Sequence, residues 1–533
     1  MSTVESGGGM PMVVAVIDIG SNSARMEIAQ VGPEADVEVL EQTQRAVRLG
    51  HDTFVSGRLS QQTMNAVIAI LRDYRKLLET YGVETVRAVA TSAVREAGNG
   101  DAFVDRVAMA VDIDVEVLAP AEESRLTVSA VRRAGRGALD LSQGRTLIAN
   151  IGGGNTLLTM LEDGEIAASE SWALGSVRLQ EHVASTRVPQ AREADILRRQ
   201  IANAVDVIKR AVPVAGVERL VAVGEDAVFP GREVGRPLGS AEPGWLVGAD
   251  GFEKLVASCS RHRPEELARR YSLPFASAER LVPALLIGQG LVEATGVDEL
   301  VVCDVSMRDG LLQDLARRVM GVEDEGLAES ILQSARTIGE KYRHDARHAE
   351  HVAALAVRLF DELQTDHRLT PRHRLLLRVA AIVHEVGKFV SNRAHHKHSH
   401  YLISNSEVFG LRRDELAVVA DVARYHRRAS PRPTHLEYIT LPREDRVVVN
   451  KLAGLLRVAD ALERGHAQQV REFRIERRPA ELVIYVHGVA DLTVERGAIA
   501  EKANLFEDTY GMRVRLEEVA TPRSETRRAR PLG

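Results

Sequence analysis

The stretch VVAVIDIGSNSARMEIAQ, Val13 to Gln30, decides the fold expected for this chain. An apolar run ends at Asp18, a polar turn follows at Gly20 to Ser23, and apolar residues then resume in alternation. This order predicts a strand, a tight turn and a second strand. The small turn residue lets backbone N–H groups approach an anion, and Asp18 lies close enough to hold a metal or position water. The alternative is a hairpin whose glycine and asparagine only satisfy the turn geometry.

Length and composition limit the class of protein. At 533 residues the chain exceeds a single core, and roughly 100–200 residues per domain predicts several units. The 45% hydrophobic and 27% charged content is typical of a globular protein. Only 4% of residues are aromatic, which argues against stacking platforms for single-stranded nucleic acid, so we expect no nucleic-acid partner. With a net charge of -6, any polyanion must be bound by a local basic patch.

Cysteine content and hydropathy bear on the compartment. Only Cys259 and Cys303 are present, which excludes a disulfide framework and fits a reducing compartment. We find no uninterrupted apolar run near the ~20 residues that cross a bilayer, and the start, MSTVESGGGMP, lacks a basic region. We therefore expect a cytoplasmic protein with no membrane partner and a flexible segment at residues 1–11.

From Val13 to about Ala134, short apolar strands alternate with amphipathic helices, which predicts an α/β layer. One helix is expected from Ser60, as N-cap, to Tyr81. Thr91 and Ser92 end a predicted strand and open a helix, where hydroxyls either donate to phosphate or only cap the helix. The pair Glu122-Glu123 begins another helix, where carboxylates either complement the helix dipole or take part in catalysis.

A second glycine-rich turn repeats the logic of the first. In TLIANIGGGNTLL, residues 146–158, an apolar strand, Asn150, the bend Gly152 to Gly154, and then Thr156 precede a second strand. One such bend is more often a hairpin than a phosphate-binding turn. Two units about 130 residues apart, each heading an α/β segment, indicate two similar lobes that face a cleft.

Five ordered motifs resemble the exopolyphosphatase and guanosine pentaphosphate phosphatase family: DIGSNS at 18–23, TSAVR at 91–95, EESRL at 122–126, IGGG at 151–154 and LGSVRL at 174–179. A further segment, Ser306 to Gly310, resembles the family's Ser-x-x-Arg-x-Gly element with one residue fewer between Ser and Arg. The resemblance implies an α/β fold of two actin-like (ribonuclease H-like) lobes with a cleft between them, then an all-α HD-like domain and a small α+β domain. The implied divisions are residues 1–11 as flexible N-terminus, 12–135 as lobe I, 136–320 as lobe II, 321–470 as the helical domain, 471–520 as the α+β domain and 521–533 as a disordered tail.

The resemblance also implies a chemistry for the cleft. Glu123 matches the family's general base, which activates water against the terminal phosphorus, with Asp18 as its companion, and Arg95 is the cation that we expect in the cleft. Mg²⁺, or Mn²⁺, is the expected ion, held by Asp18 and Asn150. The phosphate-binding residues implied on the two walls are Gly20, Ser21, Asn22, Ser23, Thr91, Arg95, Gly152, Gly153, Gly154, Asn155 and Thr156.

Several positions depart from the family pattern. Where the family usually reads Asp-Ile-Gly-Gly-Gly-Ser-Thr-Glu, this chain has Asn150, Asn155 and Leu157 in place of Asp, Ser and Glu, and Val223 to Ala227 lacks the expected glycine-rich turn. Loss of one preorganised polar group typically costs ~10²–10³ in rate. The cleft could therefore belong to a slow enzyme or to a protein that only binds phosphate.

Between about Gly321 and Gly465 the pattern is helical, with one helix expected at Thr337 to Leu363 and another at Leu375 to Phe389. A histidine, a His-acidic pair and a distant Asp on these helices resemble the HD superfamily arrangement and suit a divalent metal that activates water. The residues are His348, His384, Glu385 and Asp460, with Glu385 in place of the usual Asp. Near the C-terminus, strands are expected at 473–475, 482–486 and 512–516, with a helix at Glu501 to Tyr510.

A basic segment at Arg393 to Arg432 holds eight Lys or Arg against four acids. This excess predicts a path for a polyanion, unless it is only a solvated helical face. The residues that we assign to the path are Arg393, Lys397, Arg424, Arg427 and Arg428.

The leading functional hypothesis is an exopolyphosphatase that releases terminal orthophosphate from inorganic polyphosphate. One rival hydrolyses the 5′-phosphate of guanosine pentaphosphate, a second binds polyphosphate or the nucleotide without turnover, and a third places metal-dependent chemistry at the HD-like residues. By analogy with family members of this length, we expect a homodimer.

Overall fold

A computed structural model describes residues 12–135, 139–186, 192–239, 244–320, 325–406, 408–427, 429–489 and 491–519. The chain divides into two compact units, unit 1 at Met1–Glu325 and unit 2 at Gly326–Gly533. The predicted flexible N-terminus at residues 1–11 and the predicted tail at 521–533 lie outside the described residues.

Unit 1 contains two β-sheets flanked by helices. Its strands are β1 Met12–Ile19, β2 Ser23–Val31, β3 Val37–Ala46, β4 Thr85–Ala90, β5 Val115–Val117, β6 Arg145–Ile151, β7 Thr156–Glu162, β8 Glu165–Trp172, β9 Arg219–Val223, β10 Arg236–Pro237, β11 Gly244–Gly248 and β12 Glu299–Cys303. Its helices are α1 Leu49–Ser56, α2 Gln61–Thr80, α3 Ser92–Arg95, α4 Gly100–Val111, α5 Pro120–Ala134, α6 Ser176–Thr186, α7 Glu193–Ala211, α8 Val228–Val234, α9 Ala249–Cys259, α10 Pro264–Arg270, α11 Phe275–Thr295 and α12 Met307–Met320, with a 3₁₀ turn at Glu225–Ala227.

The first sheet has the strand order β3-β2-β1-β4-β5. Its centre is the predicted hairpin: β1 runs antiparallel to β2, with Asp18 opposite Arg25, and the Gly20 N–H closes the turn on the Ser23 carbonyl at 2.9 Å. Ile17 and Met26 are fully buried, so the alternation in the opening stretch places one face of the hairpin in the core. The turn is thereby fixed at the edge of a packed sheet.

The second sheet has the order β10-β11-β12-β9-β6-β7-β8 and begins from an equivalent hairpin. Asn150 on β6 lies opposite Leu157 on β7, and the Gly152 N–H donates to the Asn155 carbonyl at 3.0 Å. The same closing hydrogen bond therefore forms both turns. The predicted repetition of a strand-turn-strand unit in two α/β lobes is confirmed.

Helices α2 and α5 begin at residues that favour helix starts. Helix α2 begins after Ser60, whose side chain accepts a hydrogen bond from the Thr63 N–H, as the N-cap prediction requires. Helix α5 starts with Pro120 at its first turn and buries the side chains from Ala121 to Val128. Because α5 contacts the strands of the second sheet and also α12, it is enclosed on most sides.

Helix α12 does not pack where we assigned it. Its residues 307–320 fell within the predicted lobe II, yet Leu311 and Leu315 share a core with Val14 and Val16 of the first sheet. A Cβ at Gly310 would lie 2.0 Å from the Leu126 carbonyl, so glycine permits the close approach of α12 to α5. The chain thus returns to the first sheet, because its own strands expose an apolar face that this helix covers.

Unit 2 is a helical assembly followed by a small sheet. Its helices are α13 Glu325–Lys341, α14 Ala346–Glu362, α15 Gln364–His367, α16 Pro371–Val383, α17 His395–Ser404, α18 Arg413–Arg424, α19 Leu436–Ile439, α20 Arg443–Leu462, α21 Thr493–Lys502 and α22 Asn504–Tyr510, with a 3₁₀ turn at Val386–Phe389. Its strands are β13 Phe473–Arg478, β14 Glu481–His487 and β15 Arg513–Val519, in that order.

Helix boundaries in unit 2 differ from the predictions. The continuous helix expected from Thr337 to Leu363 is wrong, because Arg343 has a φ of +50° and Asp345 caps a new helix by accepting from the His348 N–H. The helix expected to reach Phe389 ends at Val383. The helix predicted at Glu501 to Tyr510 is the end of α21 followed by α22.

The predicted strands of the C-terminal segment are present, but they do not form a separate core. Phe473, Ile484 and Leu516 belong to the same buried cluster as Leu452 and the other apolar residues of α20. The predicted boundary at residues 470–471 therefore falls within one packed unit, since the helical domain buries its surface against this sheet.

Helix α11 is long and apolar enough to cross a membrane by length and composition. It includes Glu279 and Arg280, and 56% of its apolar window is buried. Leu281, Leu285 and Leu291 pack in the core of the second sheet. These contacts are those of a core helix.

Candidate active site

A pocket in unit 1 is lined by the turns of both hairpins. From the first lobe come Asp18, the turn at Gly20 to Ser23, and Thr91, while Glu123 comes from α5. From the second lobe come Asn150, Gly152, Gly153 and Asn155. The structure therefore brings together most of the residues that the sequence assigned to the cleft, from segments as much as 137 positions apart. The remaining lining residues are Arg25, Ser92, Ile151, Leu157, Gly224, Glu225, Asp226, Arg280, Ser306, Met307 and Arg308.

The first wall is held rigid by contacts behind the turn. The Ser21 hydroxyl lies 3.2 Å from the Ser92 hydroxyl, which joins the hairpin to the start of α3. The Ser21 carbonyl accepts from the Gly50 N–H at 2.8 Å. Both serines are buried, so the turn is preorganised in the pocket wall.

The second wall requires glycine because two backbone segments approach it closely. A Cβ at Gly175 would lie 2.3 Å from the Gly153 carbonyl oxygen, where the start of α6 meets the turn. A Cβ at Gly154 would lie 2.3 Å from the Ser92 hydroxyl, in the first lobe. The triple-glycine sequence therefore serves the approach of the two lobes as well as the turn.

Glu123 is a buried acid of the pocket whose pKa is raised. It lies in the first turn of α5 and accepts a hydrogen bond from Arg95. Burial raises its pKa to about 7, against the lowering effect of the Arg95 guanidinium. A carboxyl group with this pKa is divided between acid and base forms near neutral pH, which suits proton transfer.

Arg95 does not line the pocket, contrary to the prediction that it is the cleft cation. Its guanidinium also donates to the Leu118 carbonyl at 2.6 Å, so it lies behind Glu123. Gly154 and Thr156 are likewise absent from the described lining. Thr156 is fully buried and donates to the Leu174 carbonyl at 2.5 Å, because its position on β7 turns the hydroxyl into the lobe.

Three arginines to which the sequence analysis gave no role line the pocket: Arg25, Arg280 and Arg308. Arg25 forms an ion pair with Glu225 of the other lobe, and Arg280 binds Asp226 through its Nε at 2.8 Å. Arg25 and Arg308 lie within sequence motifs that we had identified. For Arg280, the available signal was the single basic residue of the mainly apolar helix α11.

Arg308 has a donor left over for a ligand. Its Nε donates to Glu27 Oε1 at 3.0 Å, whereas its Nη1 is buried without a hydrogen-bond partner and lies 3.8 Å from Asp18 Oδ2. Burial raises the pKa of Asp18, although Arg308 and Arg25 oppose the shift. An unsatisfied guanidinium N–H beside a turn of backbone amides favours an anion in this pocket.

The pocket residues fit a Mg²⁺ ion that arrives with a phosphate, rather than a cage of protein ligands. Asp18 and Asn150 offer oxygens from the two walls, and Asn150 uses its Nδ2 to donate to the Thr127 hydroxyl at 3.3 Å. Among the described residues, the clusters of three or more His, Cys, Asp or Glu side chains that could hold a metal all lie in unit 2. Mg²⁺ is commonly bound by one or two carboxylates together with substrate phosphates.

The four HD-like residues of unit 2 are also brought together. His348 from α14, the pair His384-Glu385 at the end of α16 and Asp460 from α20 form overlapping clusters of potential metal ligands. His426 and His466, which the sequence analysis did not assign, join them. Their separation along the chain gave no signal for these two histidines.

The residues predicted to bind a polyanion differ in their exposure and in their ion pairs. Arg393 and Lys397 are exposed, and Arg427 is partly exposed. Arg424 is paired with Glu437 at 2.9 Å, which neutralises its charge. Arg428 lies outside the described residues.

A family model described as the Ppx/GppA phosphatase family matches residues 27–319, more than half of the chain. The chain belongs to the Ppx/GppA phosphatase family. A second model, for domain III of Ppx/GppA phosphatases, matches residues 332–486 in unit 2.

Relatives of this Ppx/GppA chain carry two kinds of name. Exopolyphosphatase 1 of Mycobacterium leprae is 27% identical over 307 residues, which cover 56% of this chain and 88% of that protein. A guanosine-5′-triphosphate,3′-diphosphate pyrophosphatase of Aeromonas hydrophila is 26% identical over 404 residues, which cover 74% and 77% of the two chains. A solved exopolyphosphatase of Cytophaga hutchinsonii, 21% identical, has a TM-score of 0.51 and covers 58% of this chain and 99% of its own. The predicted two-lobed, actin-like fold is confirmed.

Two departures from the family pattern face each other in this Ppx/GppA pocket. Asn150 and Leu157 are paired across β6 and β7, and both line the cavity. Leu157 is almost fully buried, so it contributes an apolar surface where the family pattern has a carboxylate. The second wall is therefore less negative than the pattern implies.

Proposed function

We propose that this Ppx/GppA chain is an exopolyphosphatase that releases terminal orthophosphate from inorganic polyphosphate. The observation that carries the proposal is Glu123, a buried pocket acid whose pKa is raised to about 7 in a cavity that also contains Arg25, Arg280 and Arg308. Phosphoanhydride hydrolysis requires a base for water and positive charge for the phosphoryl oxygens.

In the proposed reaction, the Glu123 carboxylate accepts a proton as water attacks the terminal phosphorus. The new bond joins the water oxygen to phosphorus, the bond from phosphorus to the bridging oxygen breaks, and the shortened chain leaves with the bonding pair. The N–H donors of the two turns and Arg308 bind the phosphoryl oxygens. Mg²⁺, or Mn²⁺, bound with the substrate would neutralise phosphate charge beside Asp18 and Asn150.

The test is orthophosphate release from long-chain polyphosphate with Mg²⁺, comparing the wild type with Glu123→Gln. We expect a loss of ~10²–10⁴-fold, the usual contribution of a general base. Glu84→Gln, an exposed glutamate in the same lobe, is the matched control and should retain full activity. Equal rates for Glu123→Gln and wild type would show that Glu123 is not the base. Absence of orthophosphate release by the wild type would refute the proposal that the chain is an exopolyphosphatase.

The rival substrate is guanosine pentaphosphate, from which the same step would release the 5′-terminal phosphate. The pyrophosphatase relative covers more of this chain than the exopolyphosphatase relative, which favours testing it. With one site for both substrates, the nucleotide competes with polyphosphate for phosphate release, and the larger kcat/KM identifies the preferred substrate.

We further propose that the exposed basic residues Arg393 and Lys397 of unit 2 bind polyphosphate. Arg393→Glu with Lys397→Glu should weaken the binding of long-chain polyphosphate, measured as its Kd at fixed ionic strength, because two cations become anions. The small number of cysteines, with Cys259 and Cys303 both buried, supports a cytoplasmic location. The proposed homodimer is tested by light scattering.

A further inference from the structure

An ion bridge of three residues, the Glu225 bridge, crosses the pocket of unit 1 between its two lobes. It consists of Arg25 on β2 of the first lobe, Glu225 in the 3₁₀ turn after β9, and Arg280 on α11 of the second lobe. Oε2 of Glu225 pairs with Nη2 of Arg25 and lies 2.9 Å from Nη2 of Arg280. All three residues line the pocket. One carboxylate oxygen therefore occupies guanidinium groups from both walls of the cavity.

The two arginines are held in place by contacts other than the bridge. Arg280 donates from its Nε to Asp226 at 2.8 Å, and Asp226 also accepts from the Ser176 hydroxyl at 2.9 Å. Arg25 is fixed by its position within β2, and its Nε is buried with no hydrogen-bond partner. Without Glu225, both guanidinium groups would therefore remain in the pocket with N–H donors available to a ligand.

Glu225 is the member of the bridge that can move. Its side chain is 41% exposed, against 16% for Arg25 and 6% for Arg280, so its carboxylate can leave the arginines for water. Although burial raises the pKa of Glu225, the guanidinium groups of Arg25 and Arg280 lower it more, to below the ordinary value of 4.5. The carboxylate is therefore charged near neutral pH, and the arginines become free when it is displaced.

A phosphate chain and a carboxylate make the same kind of contact with a guanidinium group. Both present anionic oxygens to charge-assisted hydrogen bonds, and the planar fork of arginine binds either one. A ligand phosphate that reaches Arg25 and Arg280 must therefore displace Glu225. Its net gain is the difference between the new contacts and the contacts that are lost, so the bridge weakens the binding of such a ligand.

We propose that Glu225 is an internal competitor of the substrate, which occupies Arg25 and Arg280 until a phosphate chain displaces it, and that it thereby sets the substrate affinity of the pocket. The inference rests on the proposed function for the identity of the ligand as a chain of phosphates. The alternative role of the same contact is a latch, because Arg25 and Glu225 come from different lobes. The two roles predict opposite effects: loss of the Glu225 charge strengthens phosphate binding if Glu225 competes, and weakens it if Glu225 closes the pocket.

The test measures binding instead of turnover. The probe is a methylene-bridged analogue of tripolyphosphate, whose P–C–P links resist hydrolysis, and its Kd for the full chain is measured by titration calorimetry with Mg²⁺ at fixed ionic strength. Glu225→Gln keeps the shape of the side chain and removes its charge, so we expect Kd to fall about 10-fold. Glu299→Gln is the matched control, because Glu299 pairs with the exposed Arg236 at 3.0 Å in the same lobe, and it should bind as the wild type does.

Glu225→Asp separates occupation of the arginines from simple charge repulsion. It keeps the charge but shortens the side chain by one methylene, so it should bridge the two arginines less well and lower Kd by a smaller factor. The Tm of each variant shows that it is folded. An unchanged Kd in either variant, or no binding by Glu225→Gln, would overturn the proposal, and a higher Kd in Glu225→Gln would identify the latch instead.

Failure of this inference and failure of the proposed function give different results. If the wild type binds the analogue but releases no orthophosphate from polyphosphate, the hydrolysis is refuted, and the Kd values still decide the role of Glu225. If the wild type releases orthophosphate but Glu225→Gln binds the analogue no more tightly, the role of Glu225 is refuted and the hydrolysis stands.

Discussion

Arg95 donates a hydrogen bond to Glu123, and yet the Glu123 carboxyl keeps a pKa of about 7, because burial outweighs the attraction of the guanidinium. The charge partner therefore moderates the pKa of the proposed base instead of serving as a phosphate ligand. An arginine that touched the substrate would have left Glu123 with a still higher pKa.

This relationship predicts the pH dependence of the reaction. A general base acts as carboxylate, so kcat should rise with pH through about 7 in the wild type. Arg95→Met removes the group that lowers the pKa and should shift the acidic limb to higher pH, whereas Arg95→Lys keeps the charge and should shift it less. The measurement is kcat for phosphate release between pH 5 and 9, and an unmoved limb in Arg95→Met would contradict the assignment.

The same pKa predicts an effect on stability. A folded-state pKa of about 7, above the ordinary value of 4.5 for a glutamate, gives Glu123 a stabilising contribution that is complete below pH 4.5 and is lost as pH rises through 7. The Tm of Glu123→Gln minus that of the wild type should therefore increase between pH 5 and 8. Calorimetry of both proteins measures the difference, which cancels the other titrating groups, and a constant difference would show that the carboxyl titrates normally.

Arg308 should contribute mainly to substrate affinity, because its Nη1 lacks a partner in the pocket. Loss of a charge-assisted hydrogen bond costs about 1.5–3 kcal/mol, so Arg308→Gln should raise KM about 10- to 100-fold. Arg236→Gln, on an exposed arginine of the second lobe, is the control. Since Arg308 also binds Glu27, the double variant with Glu27→Gln tests whether a loss of activity comes from an unpaired buried acid. A normal KM in the single and the double variant would show that the substrate phosphate does not bind Arg308.

Replacement of Asn150 and Leu157 by acidic residues should increase the activity. Because they lie opposite each other in the pocket, Asn150→Asp with Leu157→Glu should restore two carboxylates to one site and lower the Mg²⁺ concentration needed for half-maximal activity. The gain in kcat is expected to reach ~10²-fold. Asn150→Asp with Leu157→Gln is the matched control. Tight polyphosphate binding without turnover in the wild type, and turnover in the double variant, would identify a sensor instead of an enzyme.

Gly154 should tolerate no side chain. An added methyl would lie 2.3 Å from the Ser92 hydroxyl and 2.5 Å from the Phe54 ring, so the two lobes would have to separate locally. We expect Gly154→Ala to cost about 1–3 kcal/mol of stability and to reduce activity. Gly251→Ala, on α9 with open space around its Cβ, should be neutral or stabilising. Urea unfolding and phosphate release measure both, and wild-type behaviour of Gly154→Ala would show that the lobe contact is loose.

Much of the pocket lining could be predicted from local sequence, and the arginines that were wrongly assigned or missed share one cause. The two turns, the cap at Ser60 and the position of Glu123 depend on contacts a few residues apart, which a sequence pattern records. The prediction that Arg95 lines the cleft failed because its partner, Glu123, lies 28 positions away in the chain. This contact directs the guanidinium away from the cavity. Arg280 was missed because only the packing of α11 beside Asp226 brings it to the pocket.

The sequence alone determined two strand-turn-strand units, the α/β alternation that follows them and the acid at the start of α5, because backbone geometry and hydrophobic period are local properties. Tertiary structure decided which charges meet. It joined Arg308 to Asp18 across 290 positions, returned α12 to the first sheet and brought His348, His384 and Asp460 together. Those contacts depend on burial of apolar faces that no single segment can satisfy by itself, so the electrostatics of both sites were settled only when the chain packed.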